Sequence, residues 1–345
     1  MKISIAMATY NGAQYIQEQL QSLLNQSRQP DELVVCDDGS TDQTLSNLEE
    51  FAKEAPFPVR IYRNEQNLGY SDNFLKAAKL CEGDWIAFCD QDDVWLPNKL
   101  QAVVDAIEQD SGLTMVLQNA ELCDGQLNRR GRLFPNKIRP GTYGPNSQYG
   151  FWVWLGFLQT VRADLISGLD ASERPPNYFP GHQWQSHDKW TCMIANALGG
   201  IAVLAEPVAL YRRHEGALTG SYAGKTVRER VSESRKVGGE HYRFLADVAA
   251  LSECYLERLA TETIEESWRK SFKHSAEAFG RLSEIQTLRA DLYEADGVVA
   301  RVAQYFQIGS KGGYLGPKFV AMGWRSAVKD IARLSFGARI STRIV

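Results

Sequence analysis

No Cys-x-x-Cys pair occurs in the chain: its six cysteines stand singly at positions 36, 81, 89, 123, 192 and 254. That spacing supports neither a zinc ribbon nor a disulfide framework, and it fits a reducing cytoplasm. No apolar run approaches the roughly 20 residues that span a bilayer. The opening MKISIAMATYNG lacks the apolar core of a signal peptide. A cytoplasmic protein is therefore expected. Excess base is missing too. The 38 Lys and Arg against 42 Asp and Glu leave a net charge of −4, so no nucleic-acid partner is expected. Neither G-x-G-x-x-G nor G-x-x-x-x-G-K-[ST] is present, which argues against dinucleotide binding and P-loop chemistry.

What is there is an ordinary globular composition, 44% apolar and 23% charged over 345 residues, a length that suggests two domains. Apolar runs at 3–7, 33–36, 59–62 and 85–89 read as strands. Segments 15–26, 44–53, 71–80 and 99–109 have helical spacing, with Ser71 or Asp72 as a cap for the third. This alternation predicts a parallel sheet with helices on both faces, and ligands in such sheets bind beyond the carboxyl ends of the strands. Three polar clusters fall at those ends: 9–12, 37–42 and 90–93.

The last cluster is the most informative. Asp90, Asp92 and Asp93 follow the buried run 86–88, and Trp95-Leu96-Pro97 closes the turn. Carboxylates that close repel and raise each other's pKa unless a cation separates them. A hard divalent ion, Mg²⁺ or Mn²⁺, is the usual partner, held by one or two carboxylates and substrate phosphates. The plainer alternative is a solvated acidic turn. Asp37 and Asp38 can accept hydrogen bonds from a nucleoside, or can form an Asx-turn that caps the next helix.

Past Thr114 the pattern changes. Residues 114–120 read as a strand, and 123–149 as long loops of the lid or binding type. Trp152, Trp154 and Phe157 form either sheet core or an aromatic shelf for a sugar, and Tyr178 and Trp184 stand in a loop-like stretch that can shape an acceptor site. Ser186-His187-Asp188-Lys189-Trp190 precedes a helix at 191–198. Asp188 suits a helix start electrostatically, and it also suits a general base. Short strands at 201–204 and 208–210 lead into Tyr211-Arg212-Arg213-His214, a basic cluster that can meet phosphate or remain a solvated loop.

Together the segments A-T-Y-N-G, V-V-C-D-D-G-S-T-D, N-L-G, F-C-D-Q-D-D-V-W, S-H-D-K-W and Y-R-R-H resemble the family 2 glycosyltransferases. The D-Q-D-D-V-W and H-D-K-W forms resemble its bacterial rhamnosyltransferase-like branch. The resemblance implies a GT-A fold, a Rossmann-like, mostly parallel α/β sheet flanked by helices, over residues 1–218. A nucleotide-sugar half would cover about 1–120 and an acceptor half about 121–218. It implies that Thr9, Tyr10 and Asn11 line the nucleotide pocket. Asp37 and Asp38 would bind base and ribose, with Asn67 and Gly69 close by. Asp90-Gln91-Asp92 would be the D-x-D element, with Asp92 and Asp90 on a divalent cation. Asp188 would be the catalytic base, preceded here by His187 where many relatives carry Glu. His187 is then a site neighbour, on the acceptor side with Trp152, Trp154 and Trp184. Arg212 and Arg213 would meet the diphosphate, and His214 the diphosphate or the metal.

The implied activity is inverting, metal-dependent transfer of a sugar from a nucleoside diphosphate to a hydroxyl of a bacterial surface polysaccharide or lipid-linked glycan. The donor could be dTDP-rhamnose, or a UDP- or GDP-sugar. A different class of reading is a non-catalytic glycan-binding protein on a transferase fold. A nucleotidyltransferase would want a basic phosphate loop, and residues 8–12 hold no Lys or Arg.

The last third, 219–345, reads as helices, with spacing over 227–259 and 264–292. Residues 311–345 carry seven Lys and Arg against the single Asp330, a net +6, with Phe319, Val320, Trp324, Val328, Ile331, Leu334 and Phe336 interleaved. Such a segment either docks on the catalytic domain with a solvated basic face or lies on an anionic membrane as a peripheral anchor.

Overall fold

The computed structural model describes residues 1–134, 139–179, 183–214 and 237–336. Strands β1 (Ile3–Thr9), β2 (Glu32–Asp37) and β4 (Trp85–Cys89) are buried along their whole length. Unbroken apolar runs of this kind need cover on both faces, which is the parallel-sheet condition. These strands pair in parallel in the order β3 (Val59–Arg63), β2, β1, β4. Along β1 the side chains alternate. Ile3, Ile5 and Met7 meet α1 (Ile16–Leu24), α2 (Thr44–Glu54) and α4 (Lys99–Gln109), while Ala6 and Ala8 join the core on the opposite face with α3 (Tyr70–Lys79).

The sheet continues through β9 (Gln159–Arg162), β6 (Met115–Cys123), β10 (Ile201–Arg212) and β5 (Val94–Trp95), with β7 (Arg129–Arg132) on β6 and β8 (Gly141–Tyr143) on β10. Strand β10 runs parallel to β6, but β9 is antiparallel to both its neighbours. The sheet is therefore mixed, not all-parallel. The 151–158 run ends in a 3-10 turn, Gly156–Leu158, that reverses the chain into the gap between β4 and β6. The strands expected at 201–204 and 208–210 are one bulged strand. Its register shifts flank Pro207, which has no N–H for the ladder. Two of the 123–149 residues' loops carry β7 and β8; 135–138 lie outside the described residues.

Two helix starts differ from expectation. Helix α3 is preceded by Gly69 at φ 78°, so neither Ser71 nor Asp72 caps it. Ser71 Oγ instead accepts the His187 backbone N–H at 2.9 Å, and Asp72 pairs with Arg174 at 2.5 Å. Helix α6 (His187–Leu198) starts one turn earlier than the apolar spacing suggests. A four-residue α5 (Asp164–Ser167) precedes it. Trp190 on α6 donates its indole N–H to Tyr255 at 2.9 Å, and Tyr255 in turn donates to the Asp170 carbonyl at 2.6 Å. Tyr255 sits on α7 (Gly239–Glu262), which packs along α8 (Glu266–Glu294), so Leu256, Phe272, Phe279 and Leu282 share one core with Trp190 and Phe74. The helix spacing expected from 227 starts outside the described residues.

Helices α9 (Val298–Ser310) and α10 (Trp324–Phe336) close the chain. Phe319 and Val320, expected on the amphipathic tail, are instead buried in the core. Helix α10 is fixed through fully buried Asp330. Its carboxylate accepts from Arg289 Nε at 2.9 Å and Nη2 at 3.0 Å, from Tyr293 at 2.9 Å and from Tyr314 at 3.0 Å. Removing one side of a buried pair leaves an uncompensated charge, a cost of about 3–5 kcal/mol. Asp330→Ala is therefore expected to lower stability by about that much in urea unfolding. A loss under about 1 kcal/mol would mean that this network does not hold α10.

Candidate active site

Beyond the carboxyl ends of β1, β2 and β4 lies a cavity of about 580 Å³. Of the residues expected at the site, Thr9, Tyr10, Asp38, Asn67, Gly69, Asp90, Gln91, Asp92, His187, Asp188 and Arg212 line it. Phe157 and Tyr211, each part of a segment singled out in the sequence, line it as well, and so do Tyr70, Asn73, Phe74, Leu155 and Gly156, which went unread. One signal for them was available: a lone Gly inside the apolar run 151–158 marks a close approach. A Cβ at Gly156 would sit 2.3 Å from His187 Nε2.

The β2 end separates two adjacent acids. Asp37 is buried away from the cavity. It accepts from Thr9 Oγ1 at 2.8 Å, from Ser40 Oγ at 2.5 Å, and from the backbone N–H groups of Gly39 at 3.2 Å and Ser40 at 2.8 Å. It makes the turn, and the ligand role expected of it fails because four donors already occupy it. Asp38 points the other way, toward the cavity. Its carboxylate accepts from Asn64 at 2.8 Å, Leu68 N–H at 2.8 Å and Gly69 N–H at 2.9 Å, and its carbonyl accepts from Asn67 at 3.0 Å. Asp38 thus draws the 64–69 loop over the sheet edge. Gly69 permits this because its backbone is left-handed.

The β1 end is tied to the β4 end by one amide. Gln91 accepts from Tyr10 N–H at 3.0 Å and donates back to the Tyr10 carbonyl at 3.0 Å. A Cβ at Gly12 would stand 2.2 Å from Gln91 Oε1, so Gly12 makes room for this clamp. Asn11, expected in the nucleotide pocket, is turned aside. At φ 47° its side chain accepts from Thr41 N–H at 2.9 Å and its backbone N–H donates to Ser40 at 2.9 Å.

Asp90, Asp92 and Asp93 offer carboxylate oxygens within 4.8 Å of one another. Asp93 is fully buried. One oxygen accepts the Arg212 N–H at 2.9 Å and the other has no partner. Burial, then the charges of Asp92 and Asp188, push the Asp90 carboxyl up to about 8. Burial, then Asp92 and Asp90, raises Asp93 as well. Beneath them Lys99 is buried, donating to Gln118 Oε1 at 2.8 Å and the Phe157 carbonyl at 2.9 Å; burial lowers its ammonium to about 7. This oxygen-only set, with an unpartnered buried oxygen and raised acids, fits a hard divalent cation. Asp90 and Asp92 are the members that face the cavity.

Arg212 is a buried strut: it donates to the Asp92 carbonyl at 2.8 Å and the Gly125 carbonyl at 2.7 Å, pairs with Glu18, and lies over the Tyr15 ring. Its guanidinium is held by these protein partners, and Arg212 also lines the cavity. Arg213 lies beside the Tyr211 ring. His214 Nε2 meets Asp92 Oδ2 at 2.9 Å, with its ring 4.5 Å from that of Tyr15.

In the same cavity, Asp188 accepts from Ser186 Oγ and from Lys189 N–H at 2.8 Å. Ser186 therefore orients the acid rather than capping α6. His187 is caged by Phe74 at 4.2 Å and Phe88 at 4.9 Å, and both ring nitrogens are buried without partners. Burial drops it to about 4, so it is a neutral wall residue at pH 7. The aromatic shelf does not form at the cavity. Trp154 donates to the Gln118 carbonyl at 2.8 Å and stacks on Phe134, Trp152 packs against Trp154, and Trp184 bridges Pro176; none of the three lines the cavity.

Protons and a divalent cation compete for the same raised carboxylates. Cation affinity is therefore expected to rise with pH, by up to about tenfold per unit for one released proton, and to level off above about 8, where Asp90 is already ionised. Mn²⁺ titration calorimetry over a pH series reads this directly. An affinity independent of pH would contradict the raised acid.

Residues 4–162 match the model of the family described as glycosyl transferase family 2. An uncharacterised glycosyltransferase of Nostoc sp. is 36% identical over 126 residues, 36% of this chain and 38% of that one. The dTDP-rhamnosyl transferase RfbG of Shigella flexneri is 37% identical over 105 residues, 29% of this chain and 36% of that one. The chain thus spans little more than a third of the length of either. Staphylococcus aureus TarS (residues 1–349), solved in complex with UDP, superposes with a TM-score of 0.54 at 17% identity, covering 100% of this chain and 94% of that one. That likeness is one of fold, and the fold is the GT-A type. The chain carries, in residues 4–162, a domain of glycosyl transferase family 2.

Proposed function

We propose that the protein is an inverting, metal-dependent glycosyltransferase that moves a sugar from a nucleoside diphosphate to a hydroxyl of a bacterial surface polysaccharide or lipid-linked glycan. The observation that carries this reading is the meeting of Asp90, Asp92 and Asp188 in the lining of one 580 Å³ cavity. Asp38 and the loop it holds form the nucleoside end, with Asn67 and Gly69 beside it. Thr9 and Tyr10 border the same end.

A cation held by Asp90 and Asp92, with His214 at its edge, would offset charge on the departing diphosphate without proton transfer. The chain's own residues do the rest. Asp188, held by Ser186 and its own helix start, accepts the proton of an acceptor hydroxyl as that oxygen attacks the sugar. Attack from the face opposite the leaving group inverts the anomeric centre in one displacement. Phe74, Leu155 and Phe157 give the cavity an apolar wall that limits water, the competing nucleophile. In this reading Arg213 and His214, which follow Arg212 at the end of β10, meet the diphosphate, His214 from beside Asp92. In this reading residues 1–218 are the catalytic unit. The likeness to RfbG, a dTDP-rhamnosyl transferase, supports dTDP-rhamnose as the first donor to try; UDP- and GDP-sugars are the alternatives.

Asp188→Asn keeps the size of the side chain and removes its basicity. Expected is a kcat loss of about 10²–10⁴-fold with donor affinity changed less than about twofold. Activity within about threefold of the parent would remove Asp188 from the chemistry. The product anomer, read by NMR, tests inversion: retention would exclude the single displacement.

A further inference from the structure

The outer face of α10 is apolar where water would favour charge. Trp324, Val328 and Ile331 are exposed by 63%, 55% and 47%. They are spaced i, i+4 and i+7, so they form one stripe along the helix. Asp330, on another side of α10, is locked to Arg289, Tyr293 and Tyr314, which fixes the stripe outward. Arg325 borders the stripe, while Lys329 and Arg333 follow at four-residue steps on the side of α10 that turns back to the protein. Lys329 reaches Tyr242 at 3.3 Å and Arg333 lies 5.0 Å over the Tyr293 ring, while Arg325 is exposed. Before α10, Phe306 and Leu315 are exposed by 68% and 84%. Lys318 is exposed, and Lys311 pairs with Glu284 at 2.7 Å.

The charge distribution selects the occupant. Within the described residues, 311–336 hold five Lys and Arg against Asp330, a net +4, whereas residues 1–310 hold −10. Two copies meeting through this face would bring like charges together. An anionic surface would attract this face and repel the rest, so it would orient the molecule as well as bind it.

We propose that the stripe of α10, with Phe306 and Leu315, is a membrane-docking surface for anionic bilayers. The apolar side chains enter the headgroup boundary, and the exposed Arg325 and Lys318 meet lipid phosphates. The proposal stands on the exposed surface alone and goes beyond the transferase reading. Among the described residues no helix is long and apolar enough to cross a membrane, so the contact is peripheral.

Flotation of the full chain with phosphatidylcholine vesicles, with and without phosphatidylglycerol, tests it. The protein is expected to float only with the anionic vesicles and to be released by high salt. Val328→Glu/Ile331→Glu is expected to abolish flotation. Lys318→Gln/Arg325→Gln is expected to weaken it roughly 30-fold, about fivefold for each base lost. Both changes are on exposed positions, and an unchanged melting curve confirms the fold. Nucleotide-induced stabilisation, measured on the same variants, should stay at the parent value, which separates failure of this surface from failure of the transferase reading. The proposal is overturned if the parent stays with the aqueous layer on both vesicles. It is equally overturned if the glutamate variant floats like the parent, or if the stripe proves to hold a dimer that the variant dissolves without any flotation.

Discussion

Three carboxylates brought within 4.8 Å of one another at the end of a buried strand are the costliest feature of this molecule, and much of the surrounding structure compensates them. Isolated burial of like charges is prohibitive, so the group must share protons, meet fixed positive charge or hold a cation. Each device is visible in part. Asp90 and Asp93 are pushed toward their protonated forms. Lys99 lies buried below, where an ammonium would otherwise be excluded. Arg212 places its backbone N–H on Asp93 and its guanidinium on the Asp92 carbonyl. What is left toward the cavity is a carboxylate edge made by Asp90 and Asp92. A divalent cation held there would couple the electrostatics of the fold to the proposed reaction.

The strand and helix pattern of the first 110 residues was legible because its signal is local: unbroken apolar runs ending in polar turns. The site was legible as a set of clusters, since parallel strands deliver all their carboxyl ends to one edge. What could not be read was the division of labour between neighbours. Asp37 and Asp38 differ by one position, and a strand end sends them to opposite sides. One then meets four internal donors and the other a cavity. Arg212 is likewise placed by partners as distant in sequence as Glu18. Trp152 and Trp154 looked like a sugar shelf because exposure is not written in a residue's type. Their surroundings are set by β6 and by Phe134, contacts that no local pattern reports. The mixed sheet was hidden for the same reason. Only the reversal at Gly156–Leu158 turns β9 against its neighbours.

The C-terminal helices show the limit from the other direction. Counting charges located a basic, apolar segment but not how it divides. Phe319 and Val320 go to the core and Trp324 goes to solvent. A single buried acid, Asp330, decides which side of α10 faces out. The helical addition also shares its core with the wall that carries Asp188, through Trp190 and Tyr255. Packing on α7 therefore supports the position of the proposed base.

The account rests most heavily on the acidic edge being one half of a nucleotide site. The most direct test is thermal stabilisation by dTDP, UDP and GDP, each with and without Mn²⁺, in the parent and in Asp92→Asn. Ligand that binds only the native state raises its apparent stability by about 2.7 kcal/mol at a hundredfold excess over Kd. The account predicts a shift with at least one diphosphate that requires Mn²⁺ and disappears in Asp92→Asn. Folded protein that answers to none of the six conditions, or that answers equally in Asp92→Asn, would contradict it.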